Sequence, residues 1–350
     1  MKKIISVLIV FLFVSLNISS ASNEPIGIAT GLQPQMTIDP LGNIRIVYGN
    51  NDTIYCATSS DNGQSFKDIK MVGIVKDMHL GMTRGPQAAT SKNYTLISAM
   101  DKNGSIHIFQ LQHSSGKWIK TAFANDSIGS APEGLMSIAA DEADNFYAVW
   151  LDIRFDQKNK ICFAKTTNQG MTWSKNKIAY QSPDKTVCEC CKPNIIVSQS
   201  KVFIMFRNWL KGSRDLYLLS SDDKGSTFKT PIKLGKGTWQ LNGCPMDGGG
   251  LTVSDKNIVS TVWQREGKIY YAKPNEAEKQ IGMGRRCSIT DSENPIITWQ
   301  DGKNIKAKEI NNEGIYDLGE GSFAKAIRTK DNKIVFAWEQ GGKINVSNHK

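Results

Sequence analysis

A recurring strand pattern is the feature that most constrains how this chain can fold. Seven short apolar runs, each ending in a bulky side chain, recur at spacings of 36 to 57 residues. They occupy residues 46–48, 98–100, 148–150, 204–206, 261–263, 297–299 and 336–338. Each run is preceded by another strand-like run and most are followed by two more, which indicates a repeated four-stranded unit. Units of this length are typical of the blades of a β-propeller.

Three turn sequences support the repeat. Residues 59–66, 166–173 and 221–228 share the template (Ser/Thr)-x-(Asp/Asn)-x-Gly-x-(Ser/Thr)-aromatic. In such a turn the Asp or Asn side chain bonds the backbone, the Gly accepts a positive φ, and the aromatic ring packs beneath. Weaker copies around Gly116 and Gly314 keep the same register.

The last unit, residues 324–348, holds only three strand-like runs. The run from Ile26 to Thr30 could supply the fourth strand and close the ring, which would remove the exposed strand edges of an open sheet. We therefore predict an all-β protein, a closed propeller of four-stranded blades. Seven blades fit the seven runs, and six is the alternative. No linker composition divides the chain, so residues 22–350 should form a single domain.

These turns and the blade pattern resemble those of the sialidase and BNR-repeat (Asp-box) β-propeller superfamily, over essentially the whole of residues 22–350. The resemblance implies a glycan-active protein, an exo-acting glycoside hydrolase or a catalytically divergent relative. Sialidases hold the carboxylate of their substrate with three arginines, use acidic side chains for proton transfer, and require no cofactor.

The first residues have the order of a secretory signal peptide. Lys2 and Lys3 precede an apolar run, residues 4–16, and small residues follow up to Ala21. We expect residues 1–21 to be removed and the protein to be exported, either to the periplasm or out of the cell. No later run is long and apolar enough for a membrane span.

The formal net charge is +10, yet the lysines are scattered through the repeats and form no long run. A nucleic-acid-binding protein usually concentrates its positive charge on one stripe. The composition therefore argues against nucleic acid as a partner. It is compatible with an acidic glycan and a monomeric protein.

The loops of a propeller alternate between its two faces, and this alternation predicts which face carries a functional site. The loops that lead into each first strand, here called lead-in loops, share one face with the loops that follow each second strand. The turns of the shared template lie on the opposite face. The lead-in loops carry Arg84, Glu133, Asp247 and Arg286, and the loops after the second strands carry Asp101, Asp152, Arg154, Arg207, Asn208, Arg214 and Arg265. We predict Asp101, Glu133 and Asp152 as catalytic acids and the other residues as ligand-binding.

Four of the seven cysteines fall in two consecutive lead-in loops: Cys188, Cys190, Cys191 and Cys244. Neighbouring blades place such loops side by side, so at least one of the first three should approach Cys244. A disulfide, which is typical of an exported protein, is one interpretation. A thiolate site for a soft metal ion such as Cu(I) is another, and a redox-active pair is the third.

Three functions remain open from the sequence. The first is a sialidase-like hydrolase that uses Arg84, Arg207 and Arg265 to hold an acidic or polar sugar. The second is a propeller that binds glycan or protein without catalysis. The third is a periplasmic metal-handling protein built around the cysteines.

Overall fold

The computed structural model describes residues 24–290 and 293–349, and these form a ring of seven four-stranded antiparallel blades. The chain is therefore a closed seven-bladed β-propeller, as predicted, and the six-bladed alternative is wrong. The predicted signal peptide lies outside the described residues and stays a prediction. Within the part of the chain that the structure describes, no helix could serve as a membrane span.

The strands are numbered β1 to β28 in chain order, and each blade is given from the channel outward. Blades 1 and 2 consist of β2 (Leu32–Ile38), β3 (Ile44–Asn50), β4 (Thr53–Ser59) and β5 (Asp68–Ile74), then β6 (Gln87–Thr90), β7 (Tyr94–Met100), β8 (Ile106–Gln112) and β9 (Lys117–Lys120). Blades 3 and 4 consist of β10 (Met136–Ala140), β11 (Phe146–Asp152), β12 (Lys160–Thr166) and β13 (Lys177–Tyr180), then β14 (Asn194–Ser198), β15 (Lys201–Arg207), β16 (Leu216–Ser221) and β17 (Ile232–Lys233).

Blades 5 and 6 consist of β18 (Gly250–Val253), β19 (Val259–Arg265), β20 (Lys268–Ala272) and β21 (Lys279–Met283), then β22 (Arg285–Thr290), β23 (Ile296–Asp301), β24 (Asn304–Glu309) and β25 (Tyr316–Glu320). Blade 7 joins both ends of the described chain, with β26 (Ser322–Arg328), β27 (Ile334–Gln340), β28 (Lys343–His349) and β1 (Ile26–Thr30). The pairing of Ile26 with Val346 and of Thr30 with Lys343 confirms that the N-terminal strand closes the last blade.

The hydrophobic core is divided among the seams between blades. Each seam holds one cluster of buried apolar side chains drawn from both of its blades. The bulky residues that end the seven apolar runs lie near the ends of the second strands and belong to these clusters, and Trp150 and Trp338 are fully buried. The repeated sequence pattern is therefore the pattern of inter-blade packing.

The three template turns have the predicted geometry and also tie neighbouring blades together. In the first, Gly63 N donates to Ser59 Oγ at 2.9 Å and Ser65 N donates to Asp61 Oδ1 at 2.9 Å. The second and third repeat these bonds around Asn168 and Asp223. The aromatic residues of all three turns pack in the seam with the preceding blade.

Candidate functional site

The strand registers separate two ends of the ring. In blade 1, the pairs Leu32 with Gly49 and Asn50 with Thr53 lie at one end, here called the mouth. The pair Ile44 with Ser59 lies at the opposite end, here called the turn end, where the template turn begins. The seven innermost strands contact one another in sequence around the channel. Side chains near the start of these strands therefore converge at the mouth.

A cavity of about 200 Å³ occupies the channel at the mouth. Its lining is mostly polar, and residues of all seven blades contribute to its wall. The polar side chains that the argument uses are Gln33, Thr83, Gln87, Lys192, Asn194, Asp247, Arg286 and Lys325. Phe323 adds an aromatic surface.

Lys192 precedes β14 and is buried. Its ammonium donates to Gln87 Oε1 at 3.2 Å and to Asn194 Oδ1 at 3.0 Å, both of which are neutral oxygens. Burial, together with the nearby charge of Lys325, lowers the pKa of Lys192 to about 7. Among residues 24–290 and 293–349, no carboxylate forms an ion pair with this lysine.

Lys325 is the only basic residue between the first and last residues of β26, and it lies in the cavity wall. Burial lowers its pKa to about 8, although the nearby Cys287 and Asp247 act in the opposite direction. Its ammonium has no carboxylate within ion-pairing distance in the described part of the chain. A positive charge held this way favours an incoming anion.

Arg286 and Asp247 meet at the cavity through the backbone. Arg286 has a φ of +57°, and its N–H donates to Asp247 Oδ2 at 2.8 Å. The other carboxylate oxygen of Asp247 accepts from Gly249 N at 2.9 Å. The Arg286 guanidinium donates to Gln300 Oε1 at 2.7 Å and to Ser322 Oγ at 3.0 Å and lies 4.5 Å from the Phe323 ring centre. Its charge is thus held in place by neutral acceptors, and no carboxylate of the described residues forms an ion pair with it.

Two further carboxyls lie near the mouth. Glu339 accepts from Gln33 N at 2.7 Å, and burial raises its pKa although Arg286 acts against this. Burial also raises the pKa of Glu133, which Arg84 opposes. The Arg84 side chain donates to the Glu133 carbonyl at 2.6 Å and lies 3.7 Å from its carboxylate. The environment of Glu133, one of the predicted acids, therefore favours its protonated form.

Asp152 and Asp101 are engaged in local hydrogen bonds. Asp152 is fully buried and accepts from Ser130 Oγ at 2.8 Å, from Trp150 Nε1 at 2.9 Å and from Arg154. Arg154 in turn pairs with Asp126 at 2.8 Å. Asp101 accepts from His107 Nε2 at 2.8 Å and from Ser105 N at 3.0 Å. These contacts stabilise loops within blades 2 and 3.

The predicted arginine set does not converge on one point. Arg207 is fully buried and donates to the backbone carbonyls of Asp247, Arg214 and Gln264 at 2.7–3.0 Å. Arg265 pairs with Glu278 at 2.7 Å. Arg214 pairs with Glu189 at 3.3 Å. Asn208 is buried and donates to the Tyr180 hydroxyl at 2.9 Å. Of the eight predicted ligand-binding residues, Asp247 and Arg286 line the cavity.

The structure confirms that Cys244 lies beside the lead-in cysteines of the preceding blade. Cys190 and Cys244 are joined by a disulfide with Cα atoms 6.1 Å apart. Cys188 and Cys191 are buried free thiols, with sulfurs 3.2 Å apart. Arg214 Nη1 donates to Cys188 Sγ at 3.0 Å.

Sequence reasoning missed Lys192 and Lys325, the two cations most central to the cavity. A usable signal was present for both. Lys325 interrupts the small and apolar residues of a first strand, and Lys192 is next to the first residues of another. First strands line the channel of a propeller, so a basic residue there is placed either in the channel or in a seam.

A second hollow, of about 830 Å³, lies at the turn end against β1 and the first template turn. Its wall is mainly apolar and includes Ile26, Ile28 and Phe66. Its charged residues, Glu24 and Lys67, are exposed. This hollow lacks the buried, convergent polar groups that mark a specific ligand site, so the mouth is the stronger candidate.

No protein-family model and no curated protein matches the chain. Solved structures do match. The BP39L lectin from Burkholderia pseudomallei has a TM-score of 0.59 at 8% identity, over 91% of this chain and 98% of that chain. SapL1 lectin, solved in complex with alpha methyl fucoside, has a TM-score of 0.55 at 12% identity, over 84% of this chain and 97% of that chain. NanB sialidase from Streptococcus pneumoniae has a TM-score of 0.45 at 12% identity, over 95% of this chain and 69% of that chain.

The chain shares the β-propeller fold of these lectins. The predicted resemblance to sialidase-like propellers is confirmed at the level of the fold, through the four-stranded blades and the geometry of the three template turns.

Proposed function

We propose that the protein binds an acidic glycan at the mouth, with a sugar carboxylate received by Lys192, Lys325 and Arg286. The observation that carries the proposal is the charge of the cavity. Three cationic side chains line it against one carboxylate, Asp247, whose oxygens are already bonded to backbone N–H groups. An anion that replaces lost hydration would relieve the cost of burying these cations.

The neutral groups of the cavity support a sugar rather than a simple anion. Gln33, Gln87 and Asn194 supply amide donors and acceptors of the kind that recognise hydroxyls. Phe323 supplies an apolar ring of the kind that packs on the face of a sugar. The cavity is smaller than the roughly 300–1,000 Å³ of sites for larger ligands. It therefore suits one terminal sugar unit, with the remainder of the glycan outside the mouth.

The fold comparisons support this proposal because two of the matched propellers are named as lectins and one of those is solved with a fucoside. A propeller can thus bind sugars without hydrolysing them. Our proposal rests on the two lysines of the present cavity, which favour a charged sugar.

Isothermal titration calorimetry with matched sugars tests the proposal. We expect glucuronic, galacturonic or N-acetylneuraminic acid to bind at neutral pH at least tenfold more tightly than fucose or galactose. Lys325→Gln and Arg286→Gln should each weaken binding of the acid about tenfold or more, as expected for loss of a charge-assisted hydrogen bond. Lys256→Gln, which removes an exposed charge in the β18–β19 turn, is the matched control and should change little.

Equal affinity for acidic and neutral sugars would overturn the proposal. So would unchanged affinity in both cavity variants, provided that their thermal unfolding shows a folded protein.

Hydrolysis is a second candidate, and Glu133 is the observation that favours it. Burial raises the pKa of the Glu133 carboxyl and so favours its protonated form, which is the form that can donate a proton to a leaving group. A panel of fluorogenic glycosides that includes a sialoside tests this. Cleavage that is lost in Glu133→Gln while binding persists would establish it, and no cleavage of any glycoside would leave the lectin-like function.

A further inference from the structure

The cysteine cluster lies beside the cavity but takes no part in the proposed glycan binding. Cys188, Cys190 and Cys191 are buried in the lead-in loop of blade 4, and Cys244 is exposed in that of blade 5. The three buried sulfurs lie 3.2, 3.7 and 3.9 Å from one another. Such a grouping brings three potential thiolate ligands to one point.

We propose that Cys188, Cys190 and Cys191 bind one Cu(I) ion as three thiolates when the Cys190–Cys244 disulfide is reduced. A metal ion about 2.3 Å from each of several sulfurs requires the sulfurs to lie roughly 3.7–4.0 Å apart. Two of the three separations already have this value, and the third needs an increase of about half an ångström. The loop therefore presents the three sulfurs close to the geometry of a shared metal ion, and only the Cys188–Cys191 separation has to increase.

The surroundings favour a soft, singly charged ion. Met246 packs against the cluster of three cysteines and offers a thioether. No carboxylate or imidazole belongs to the group of potential ligands in the described residues. Thiolate and thioether ligands select Cu(I) over harder ions. The guanidinium of Arg214, 3.0 Å from Cys188 Sγ, offsets the net negative charge that three thiolates and one monovalent ion would leave.

Reduction has a direct route, because Cys244 is exposed and its disulfide partner is a ligand. An external dithiol attacks the Cys244 sulfur, the sulfur–sulfur bond to Cys190 breaks, and Cys190 leaves as a thiolate. The second thiol of the reductant then releases Cys244 and forms the disulfide of the reductant. Two electrons pass to the two protein sulfurs, and copper enters and remains as Cu(I) while the bound thiols release their protons to water.

The test is anaerobic titration of the full chain with Cu(I) in competition with a chromophoric Cu(I) chelator. The protein reduced with dithiothreitol and then desalted should retain about one Cu(I) per chain. The oxidised protein should bind at least a hundredfold more weakly, since one of the three ligands is then in the disulfide. Cys188→Ser and Cys191→Ser should each weaken binding at least tenfold. Cys56→Ser changes a buried cysteine of blade 1 and should leave binding unchanged.

Alkylation gives a second measurement that does not depend on how stable each variant is. In the reduced wild-type protein, Cu(I) should protect the three cluster thiols from iodoacetamide while Cys244 stays reactive, as read by peptide mass spectrometry. Transfer of all Cu(I) to the chelator, or no protection of Cys188 and Cys191, would overturn the proposal. Tighter binding of Zn²⁺ than of Cu(I) by the same three cysteines would also overturn it.

Discussion

Charged side chains at the two ends of the ring have opposite kinds of surroundings. At the turn end, hydrogen bonds from Thr227 and Ser221 hold the pKa of Asp223 well below its usual range, and the aspartate orders its own turn. At the mouth, burial lowers the pKa of Lys192 and Lys325, and neither has a carboxylate partner among the described residues. The turn end uses its polar groups for stability, whereas the mouth holds two basic side chains without ion-pair partners in the described residues, which is the feature that our proposed function uses.

The largest expected effect concerns packing at the turn end. Gly225 has a φ of +75°, and a Cβ there would lie 2.3 Å from Cζ of the fully buried Phe163. Gly225→Ala should lower the free energy of unfolding by roughly 3 kcal/mol, as backbone strain and overpacking combine. Gly116 has a φ of +64° with nothing within 4 Å of a Cβ. Gly116→Ala should therefore cost only about 1 kcal/mol.

Urea unfolding measures both variants. Equal losses of unfolding free energy in the two variants would show that the close approach of Gly225 to Phe163 of the preceding blade makes no contribution to the effect. Sugar affinity of the folded fraction should be unchanged in both, since the substitutions lie at the end opposite to the mouth.

The next effect concerns the buried charge at the mouth. The unfolded chain keeps the proton on Lys192 to about pH 10.5, whereas the folded protein releases it near pH 7. Between these values the unfolded state binds more protons, so stability rises with pH across this window. From pH 6 to pH 9, the free energy of unfolding of the wild-type protein should increase by about 2–3 kcal/mol more than that of Lys192→Met.

The measurement is urea unfolding of both proteins at the two pH values, with Lys256→Met as the control. An identical pH dependence of the unfolding free energy in wild type and Lys192→Met would show that Lys192 is solvated. It would also contradict the difference that we describe between the two ends of the ring.

A smaller effect concerns the hydroxyl that begins a template turn. Ser221 Oγ accepts from the buried Gly225 N–H at 2.9 Å. Ser221→Ala should lower the free energy of unfolding by roughly 1–2 kcal/mol, because that donor loses its acceptor. Ser65→Ala, which removes a hydroxyl at an exposed position of the first turn, should cost less. A reversed order would contradict the role given to the buried hydroxyl.

Much of the fold was predictable because it depends on local pattern. The bulky residues near the ends of the second strands pack in the seams between blades. The template turns fix the register of the repeat, and the strand that begins at Ile26 completes the last blade. The proximity of Cys190 and Cys244 followed from the same register. These features require only that each blade resembles the next.

The site was less predictable because it depends on which groups meet across the ring. The sequence places Arg207 at the mouth, but its backbone acceptors belong to two loops and to strand β19, and they become visible only in three dimensions. The cavity lysines were missed because the orientation of a side chain in a first strand, or just before one, is set by the packing of both neighbouring blades.

The most direct test of the central claim is the pH dependence of sugar binding. The carboxylate of a sugar acid is ionised throughout the range from pH 6 to pH 9, whereas Lys192 and Lys325 lose their protons near pH 7 and pH 8. Calorimetry with the tightest-binding acid should show affinity falling at least tenfold from pH 6 to pH 9, and Lys325→Gln should flatten this dependence. Affinity that stays constant, or that rises with pH, would contradict the claim that these buried cations receive the ligand.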